Sequence, residues 1–97
     1  MERPAFKRRP ALVISTKEFN TANDHSVMAM ITSAALDQWP SDYPIAKLQE
    51  AGLIHSCYVR WKVFTLPNTL IVKTIGELAD IDRDALMEKA RMIFIRA

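Results

Sequence analysis

Two short, uninterrupted apolar runs constrain the fold of this chain more than any other feature of its sequence. One occupies residues 11–14, directly after Pro10, and the other occupies residues 27–31, directly before Thr32. Apolar runs this short, bounded by polar residues, are typical of strands that are covered on both faces. Proline has no N–H for a sheet ladder and holds the residue before it in an extended conformation, so Pro10 suits the start of a strand. The sequence therefore predicts two buried strands.

Two later segments also have strand character. Residues 57–66 alternate in part, so that Val59, Trp61 and Val63 share one face, and this pattern predicts a half-buried strand. Residues 69–75 are rich in β-branched side chains and predict another strand, which ends at a glycine.

The end of the chain changes to a helical period. Residues 82–95 place Leu86, Ala90, Ile93 and Phe94 on one face, and Asp82 suits the N-cap, so we expect an amphipathic helix on a small sheet. This pattern indicates a mainly β fold with a C-terminal helix (α+β), a small barrel-like sheet. The shorter predicted elements are a helical turn over residues 16–20, a polar connection over residues 20–26, an edge strand over residues 43–45 and a helical turn over residues 46–53 that Gly52 ends in a left-handed cap.

Length and composition are those of one globular domain, residues 1–97. The net charge of +2 is too small to indicate nucleic-acid binding, but the charge is unevenly distributed. A single cysteine cannot form an internal disulfide, and neither a signal peptide nor an apolar run near the ~20 residues of a membrane span is visible, so we expect a cytoplasmic protein without membrane contact. The cations that crowd the first part of the chain are Arg3, Lys7, Arg8, Arg9 and Lys17, and the later acids are Glu77, Asp80, Asp82 and Asp84.

Several familiar catalytic schemes are excluded by what the sequence lacks. The chain has two glycines, too few for a phosphate-cradling or dinucleotide-binding loop. His25 is isolated and His55 precedes Cys57 by two residues, which is not the spacing of a metal site, and Cys57 falls within a strand pattern. We therefore predict neither a metal nor a cofactor.

Polar groups at the ends of the predicted strands offer a different chemistry. Arg9 precedes the first strand, Thr32 and Ser33 end the second, and Arg60 lies in the third. If these strands are neighbours, two guanidinium groups and two hydroxyls could surround a phosphate and stabilise the charge of a phosphorus centre under attack. RNA supplies its own nucleophile, the 2′-hydroxyl. The simpler interpretation is a solvated basic loop, a strand end and an exposed cation, and spacing alone favours this simpler interpretation.

The order of several short motifs adds a resemblance. The motifs are Arg9-Pro10-Ala11-Leu12-Val13-Ile14-Ser15, Ile31-Thr32-Ser33, Gly52-Leu53 ahead of Val59-Arg60, Thr65-Leu66 and Ile75-Gly76-Glu77-Leu78. In this order, over essentially the whole chain, they resemble the PemK/MazF (Kid-like) toxins of type II toxin–antitoxin systems. The Arg-Pro-x-Leu-Val element with the following Thr-Ser is the most specific of them.

The resemblance implies an SH3-like barrel related to CcdB, a homodimer, and a metal-free endoribonuclease that cleaves single-stranded RNA (an mRNA interferase) and leaves a cyclic phosphate. It implies a cognate antitoxin whose disordered segment occupies the RNA groove, and contact with operator DNA only through the antitoxin complex. By motif position, Arg9 stabilises the scissile phosphate, Thr32 and Ser33 complete the site, and Arg60 stabilises charge. Lys7, Arg8 and Lys62 are the expected substrate-binding cations.

Two departures from the family pattern leave alternatives open. Lys62 stands where some relatives carry an acidic residue that serves as a base, and the chain begins within the basic loop, so we expect that the family's first strand, on the order of 20 residues, is missing. One alternative is a catalytically inactive or truncated member that binds antitoxin, or a CcdB-like non-enzymatic inhibitor. A weaker one is a small-barrel RNA-binding module in which Trp39, Trp61 or Phe64 stacks on bases.

Overall fold

A computed structural model describes residues 8–33 and 37–94. Four antiparallel strands form one curled sheet, a half-barrel, in the order β1-β2-β4-β3, and a C-terminal helix packs on it. The elements are β1 (Ala11–Val13), α1 (Lys17–Asn23), β2 (His25–Ser33), β3 (Tyr43–Pro44), β4 (Cys57–Pro67), a 3-10 helix (Asn68–Leu70) and α2 (Asp80–Phe94). This architecture confirms the predicted mainly β fold with a C-terminal helix.

The two apolar runs do form strands, but the strands differ in how deeply their side chains are buried. β2 carries the fully buried Ala29 and is paired on both sides, because β1 and β4 are its neighbours. β1 begins directly after Pro10, as predicted. The prediction that both faces of β1 are covered is wrong, because Val13 is 43% exposed on a strand at the edge of the described sheet.

The first helix is longer than the predicted turn. Thr16 is its N-cap, and its side-chain hydroxyl accepts a hydrogen bond from the backbone N–H of Phe19 at 3.2 Å. α1 then continues through Asn23, and Asp24 alone joins it to β2. The predicted polar connection over residues 20–26 is therefore wrong, since a left-handed φ of 53° at Asp24 reverses the chain within one residue.

Two backbone features shape the segments around Gly52 and Gly76. Residues 48–52 form a turn and not a helix, but Gly52 has the predicted left-handed conformation, with a φ of +77°. The N–H of Leu53 donates to the carbonyl of Leu48 and that of Gly52 to the carbonyl of Gln49, the pair of bonds that defines a Schellman motif. A Cβ on Gly76 would lie 2.5 Å from the carbonyl carbon of Ala51, so only glycine fits there.

The strand predicted over residues 69–75 is not formed. Its first residues belong to the 3-10 helix, and residues 71–79 have no regular structure. These residues form no ladder with a described strand, and the segment is instead held by the N–H of Glu77, which donates to the carbonyl of Glu50 at 3.0 Å. Its β-branched composition therefore did not decide its structure.

The C-terminal helix is fastened to the sheet by one buried carboxylate. Asp82 has no exposed surface, and it accepts hydrogen bonds from the hydroxyl of Tyr43 at 2.6 Å and from the N–H groups of Ala46 at 2.8 Å and Lys47 at 2.9 Å. The prediction of Asp82 as the N-cap is wrong, because the helix begins at Asp80 and the side chain points to another part of the chain.

The core lies between the sheet and α2. Its buried members are Ala29 of β2, Ile45, Val59 of β4 and Leu86 of α2. Leu86 confirms the predicted apolar face, but Phe94 near the end of the helix is half exposed, so the helix is covered best near its middle. No helix among the described residues is long and apolar enough to cross a membrane.

Candidate phosphate-binding groove

A shallow groove of about 330 Å³ runs across the sheet where β4 passes β2. Its floor is apolar, and among the described residues the charged side chains that line it are Arg9 and Lys62. The other lining residues are Pro10, Ala11, Met30, Ile31, Val63 and Phe64. The described surface of the groove therefore combines positive charge with apolar area and contains no carboxylate.

An irregularity in the β2–β4 ladder creates this groove. Ala29 pairs with Val63, but the next residue, Met30, pairs with Arg60, which leaves Trp61 and Lys62 without partners on β2. Bulges of this kind bend a strand, redirect side chains and are frequent beside active sites. The partial alternation of residues 57–66 gave no sign of it, because a bulge depends on the partner strand.

Trp61 supports the bulge from the other side. Its ring packs edge-to-face against Phe94 of α2, with the ring centroids 5.6 Å apart, and it contacts the hydrophobic core. Trp61 is therefore packed against the core, as the predicted half-buried strand leads us to expect for a residue that shares a face with Val59. The helix therefore holds the bulged part of β4 in place.

Thr32 belongs to β2, and Arg9 lies two residues ahead of β1, whose first residue, Ala11, pairs with Met30. Because the two strands are antiparallel, Arg9 and Thr32 lie at the same end of the β1–β2 pair. Arg9 is exposed and Thr32 is half-buried, and the Thr32 hydroxyl makes only a long bond of 3.3 Å to the carbonyl of Ser33. Arginine and hydroxyl side chains at adjacent positions can bind one phosphate.

Arg60 occupies a separate, enclosed setting. Its guanidinium donates to both carboxylate oxygens of Asp42, from Nε at 3.1 Å and from Nη2 at 2.8 Å, and Nη2 also donates to the carbonyl of Asp37 at 3.0 Å. The same group lies 5.0 Å from the centroid of the Trp39 ring. Arg60 is 7% exposed, and residues 37–42 cover it. We call residues 37–42 the latch loop.

The ion pair between Arg60 and Asp42 shifts the pKa of both groups. The hydrogen bond from Arg60 lowers the pKa of Asp42 below its usual value, against the opposing effect of burial, and the hydrogen bond to Asp42 raises the pKa of Arg60. The latch loop is also closed on itself, because the N–H of Trp39 donates to Asp42 at 3.0 Å. Both groups are therefore charged at neutral pH.

The predicted site residues are thus divided between two places. The groove holds Arg9 and Lys62, whereas Arg60 lies under the latch loop. Ser33 ends β2, exposed and paired with Cys57, and Arg8 is exposed. Lys7 lies outside the described residues. Sequence reasoning missed Asp42 and Trp39 as partners of Arg60, since nothing in a polar loop indicates which cation it covers.

Other reactive side chains in the described chain show no sign of a second site. No group of three or more His, Cys, Asp or Glu side chains in residues 8–33 and 37–94 could hold a metal ion. Burial raises the pKa of the Cys57 thiol, which makes it a poor nucleophile.

Comparison with known proteins agrees with this geometry. The family model for the PemK-like, MazF-like toxin of type II toxin-antitoxin systems matches residues 3–94. The chain belongs to the PemK/MazF toxin family. The earlier resemblance to this family is confirmed.

Solved structures show the same fold. A crystal structure of an Mtb toxin matches with a TM-score of 0.73 at 22% identity, over 89% of this chain and 92% of that one. Mycobacterium tuberculosis toxin MazF-mt6 matches with a TM-score of 0.72 at 22% identity, over 89% of this chain and 85% of the other. No curated protein matches significantly. The sheet and helix of this PemK/MazF-family chain are therefore arranged as in those toxins.

Proposed function

We propose that this PemK/MazF-family protein is an endoribonuclease toxin that cleaves single-stranded RNA without a metal ion. The observation that carries the proposal is the groove at the bulge, where Arg9 and Lys62 lie beside an apolar floor and no described lining residue is acidic. Such a surface favours a polyanion that also has apolar parts, and RNA has both. Family membership supports a toxin partnered by an antitoxin.

The reaction needs two things from the protein: neutralisation of the charge on the phosphate and orientation of the reacting groups. The 2′-hydroxyl of the substrate loses its proton to water as its oxygen attacks the adjacent phosphorus, the bond to the 5′-oxygen breaks, and that oxygen takes a proton from water. The products are a 2′,3′-cyclic phosphate and a 5′-hydroxyl. Arg9 binds the phosphate oxygens as negative charge builds on them, and the hydroxyls of Thr32 and Ser33 orient the same group. Arg8, which is exposed, contacts the RNA backbone beside the scissile phosphate.

Arg60 has a different part in this scheme. Its Nε and Nη2 donors are engaged by Asp42 and Asp37, so it acts on the phosphate through its remaining donors and its charge, or after the latch loop opens. An arginine with a raised pKa is a poor proton donor. We therefore assign it to charge stabilisation and to the position of β4.

The test is RNA cleavage by the purified protein in the presence of EDTA. We expect cleavage of a labelled single-stranded RNA, a cyclic phosphate at the new end, and no cut where the nucleotide is replaced by its 2′-deoxy form. Arg9→Ala and Thr32→Ala should each lower the rate by about 100-fold or more, as the loss of one oxyanion-stabilising donor does.

Arg91→Ala is the matched control. It removes an exposed guanidinium from α2, outside the groove, and should cleave RNA at the unaltered rate. Circular dichroism spectra and thermal unfolding curves that match the parent protein would exclude misfolding as the cause of any loss. Inhibition by EDTA, or equal loss in all three variants, would contradict the proposed mechanism.

The expected partners follow from the family. We propose a homodimer, a cognate antitoxin whose disordered segment competes with RNA for the groove, and contact with operator DNA only in the antitoxin complex. One observation favours a second candidate, an inactive member that binds antitoxin: the guanidinium of Arg60 is already paired with Asp42. Tight antitoxin binding without RNA cleavage would select it.

A further inference from the structure

One aromatic side chain in the groove has no part in phosphate chemistry. Phe64 lines the groove and is 39% exposed, whereas its cross-strand partner Met28 is only 6% exposed and supports it from β2. The ring is thus open to the groove and backed by a buried side chain. Other exposed aromatic residues, such as Phe19, do not line this groove.

The charges beside Phe64 are arranged for a nucleotide. Arg9 approaches from the β1 side of the groove and Lys62 from the bulge in β4, with β2 between them. Two cations separated by an apolar floor can each contact one of two successive phosphates, while the base between those phosphates covers the floor. Single-stranded nucleic-acid sites combine the same two components, backbone cations and aromatic rings that stack on bases.

We propose that this groove is a base-binding subsite, in which one base of the single-stranded RNA stacks on Phe64 while Lys62 contacts a phosphate beside it. The proposal rests on the ribonuclease function proposed above and names the part of the substrate that this surface holds.

The size of the groove limits its occupant. A volume of about 330 Å³ is at the lower end of small-molecule sites, and a single base fits within it. The absence of a carboxylate from the described lining favours an anion over a cation as the neighbouring group. The bulge places Lys62 outside the regular β2–β4 pairing, at the edge of the groove.

The experiment measures binding, not cleavage. Fluorescence anisotropy gives the Kd of the full chain for labelled 2′-fluoro homo-oligonucleotides of about ten residues, which lack the nucleophilic hydroxyl. Phe64→Leu keeps an apolar side chain but removes the aromatic face, and we expect about 10-fold weaker binding, the effect of losing one stacked base. Phe64→Trp should bind as well as or better than the parent protein.

Phe19→Leu is the matched control. Phe19 is 42% exposed on α1, close to the exposure of Phe64, and its replacement should leave the Kd within about 2-fold, which is within normal variation for a side chain away from the site. The salt dependence separates the two components of the subsite. Phe64→Leu should leave the slope of log Kd against log salt unchanged, and Lys62→Gln should reduce it by about 0.7.

Each of the following outcomes would contradict the proposed base-binding subsite. Unchanged binding by Phe64→Leu, or equal weakening by Phe19→Leu, would show that no base rests on Phe64. A shift of Phe64→Leu from dimer to monomer in light scattering would assign the ring to an interface between copies, and loss of antitoxin binding alone would assign it to a peptide. RNA cleavage by the Phe64→Leu variant with unaltered affinity would remove this inference and leave the proposed function intact.

Discussion

The buried carboxylate of Asp82 is the contact whose loss we expect to cost most stability. Replacing Asp82 by alanine leaves three donors, the hydroxyl of Tyr43 and the N–H groups of Ala46 and Lys47, without their acceptor in a site with no solvent exposure. A hydrogen bond to a charged group contributes about 1.5–3 kcal/mol, but the three are not additive because water can enter the space left by the carboxylate.

We therefore expect Asp82→Ala to lower the free energy of unfolding by about 3–5 kcal/mol, the usual cost of removing one partner from a buried charged contact. A domain of this size has a total stability of about 5–15 kcal/mol, so the variant would be marginal. In urea, with a slope of about 1.5 kcal/mol per molar, the unfolding midpoint should fall by about 2–3 M.

Two further variants make the measurement decisive. Tyr43→Phe removes one of the three donors and should cost about 1–2 kcal/mol, which is measurable even if Asp82→Ala does not fold. Asp84→Ala removes an exposed carboxylate from the same end of α2 and should cost less than about 1 kcal/mol. If Asp82→Ala unfolds at the same urea concentration as Asp84→Ala, the anchor is not a source of stability.

Three other predictions concern pH, the latch loop and a backbone contact. Burial and the hydrogen bond to Asp82 raise the pKa of Tyr43 to about 12. The stability that Tyr43 contributes is therefore complete below about pH 10 and is lost as the pH rises toward 12. Urea unfolding at a series of pH values should show this loss, and Tyr43→Phe should abolish it. Asp42→Asn should lower the melting temperature and separate the half-exposed Trp39 ring from Arg60, seen as a red shift of tryptophan emission. Asp42→Leu combined with Arg60→Met should recover much of the lost stability because no unpaired charge remains. A melting temperature for Asp42→Asn equal to that of the parent protein would contradict the structural role of the pair. Gly76→Ala should lower the free energy of unfolding by about 2 kcal/mol or more, since its Cβ would meet backbone 2.5 Å away, and calorimetry without such a loss would refute the contact.

Acid should destabilise the protein through two carboxylates. Burial raises the pKa of Asp82, but the hydrogen bonds that it accepts outweigh this effect and leave the net value below normal. The pKa of Asp42 is lowered chiefly by the hydrogen bond that its carboxylate accepts from Arg60. For both groups the contribution to stability is present above the unfolded pKa of about 4 and is lost as the pH falls through the lower folded value.

Local signals in the sequence predicted the elements that depend on neighbouring residues. The left-handed Gly52 and the apolar run of β2 depend on residues within a few positions, and both appear in the structure as expected. The order of motifs was sufficient for the family, because it samples the whole chain at once.

Features that depend on contacts distant in sequence were not predictable in this way. Arg60 and Asp42 are 18 residues apart, and either could have been a solvated charge. The strand character of residues 69–75 was real in composition but had no partner. The bulge at Lys62 is a property of two strands together, so the groove that it forms could not be located from residues 57–66 alone.

The displacement of β4 along β2 by a pair of residues has a consequence for how this chain can vary. Because side chains alternate, a shift of two restores the original facing, and Arg60 and Phe64 remain on one surface of the sheet although they lie on opposite sides of the irregularity. Inserting or deleting one residue of β4 here would move the side chains of the rest of the strand to the opposite face of the sheet. Length changes at this point should therefore be tolerated only in even steps.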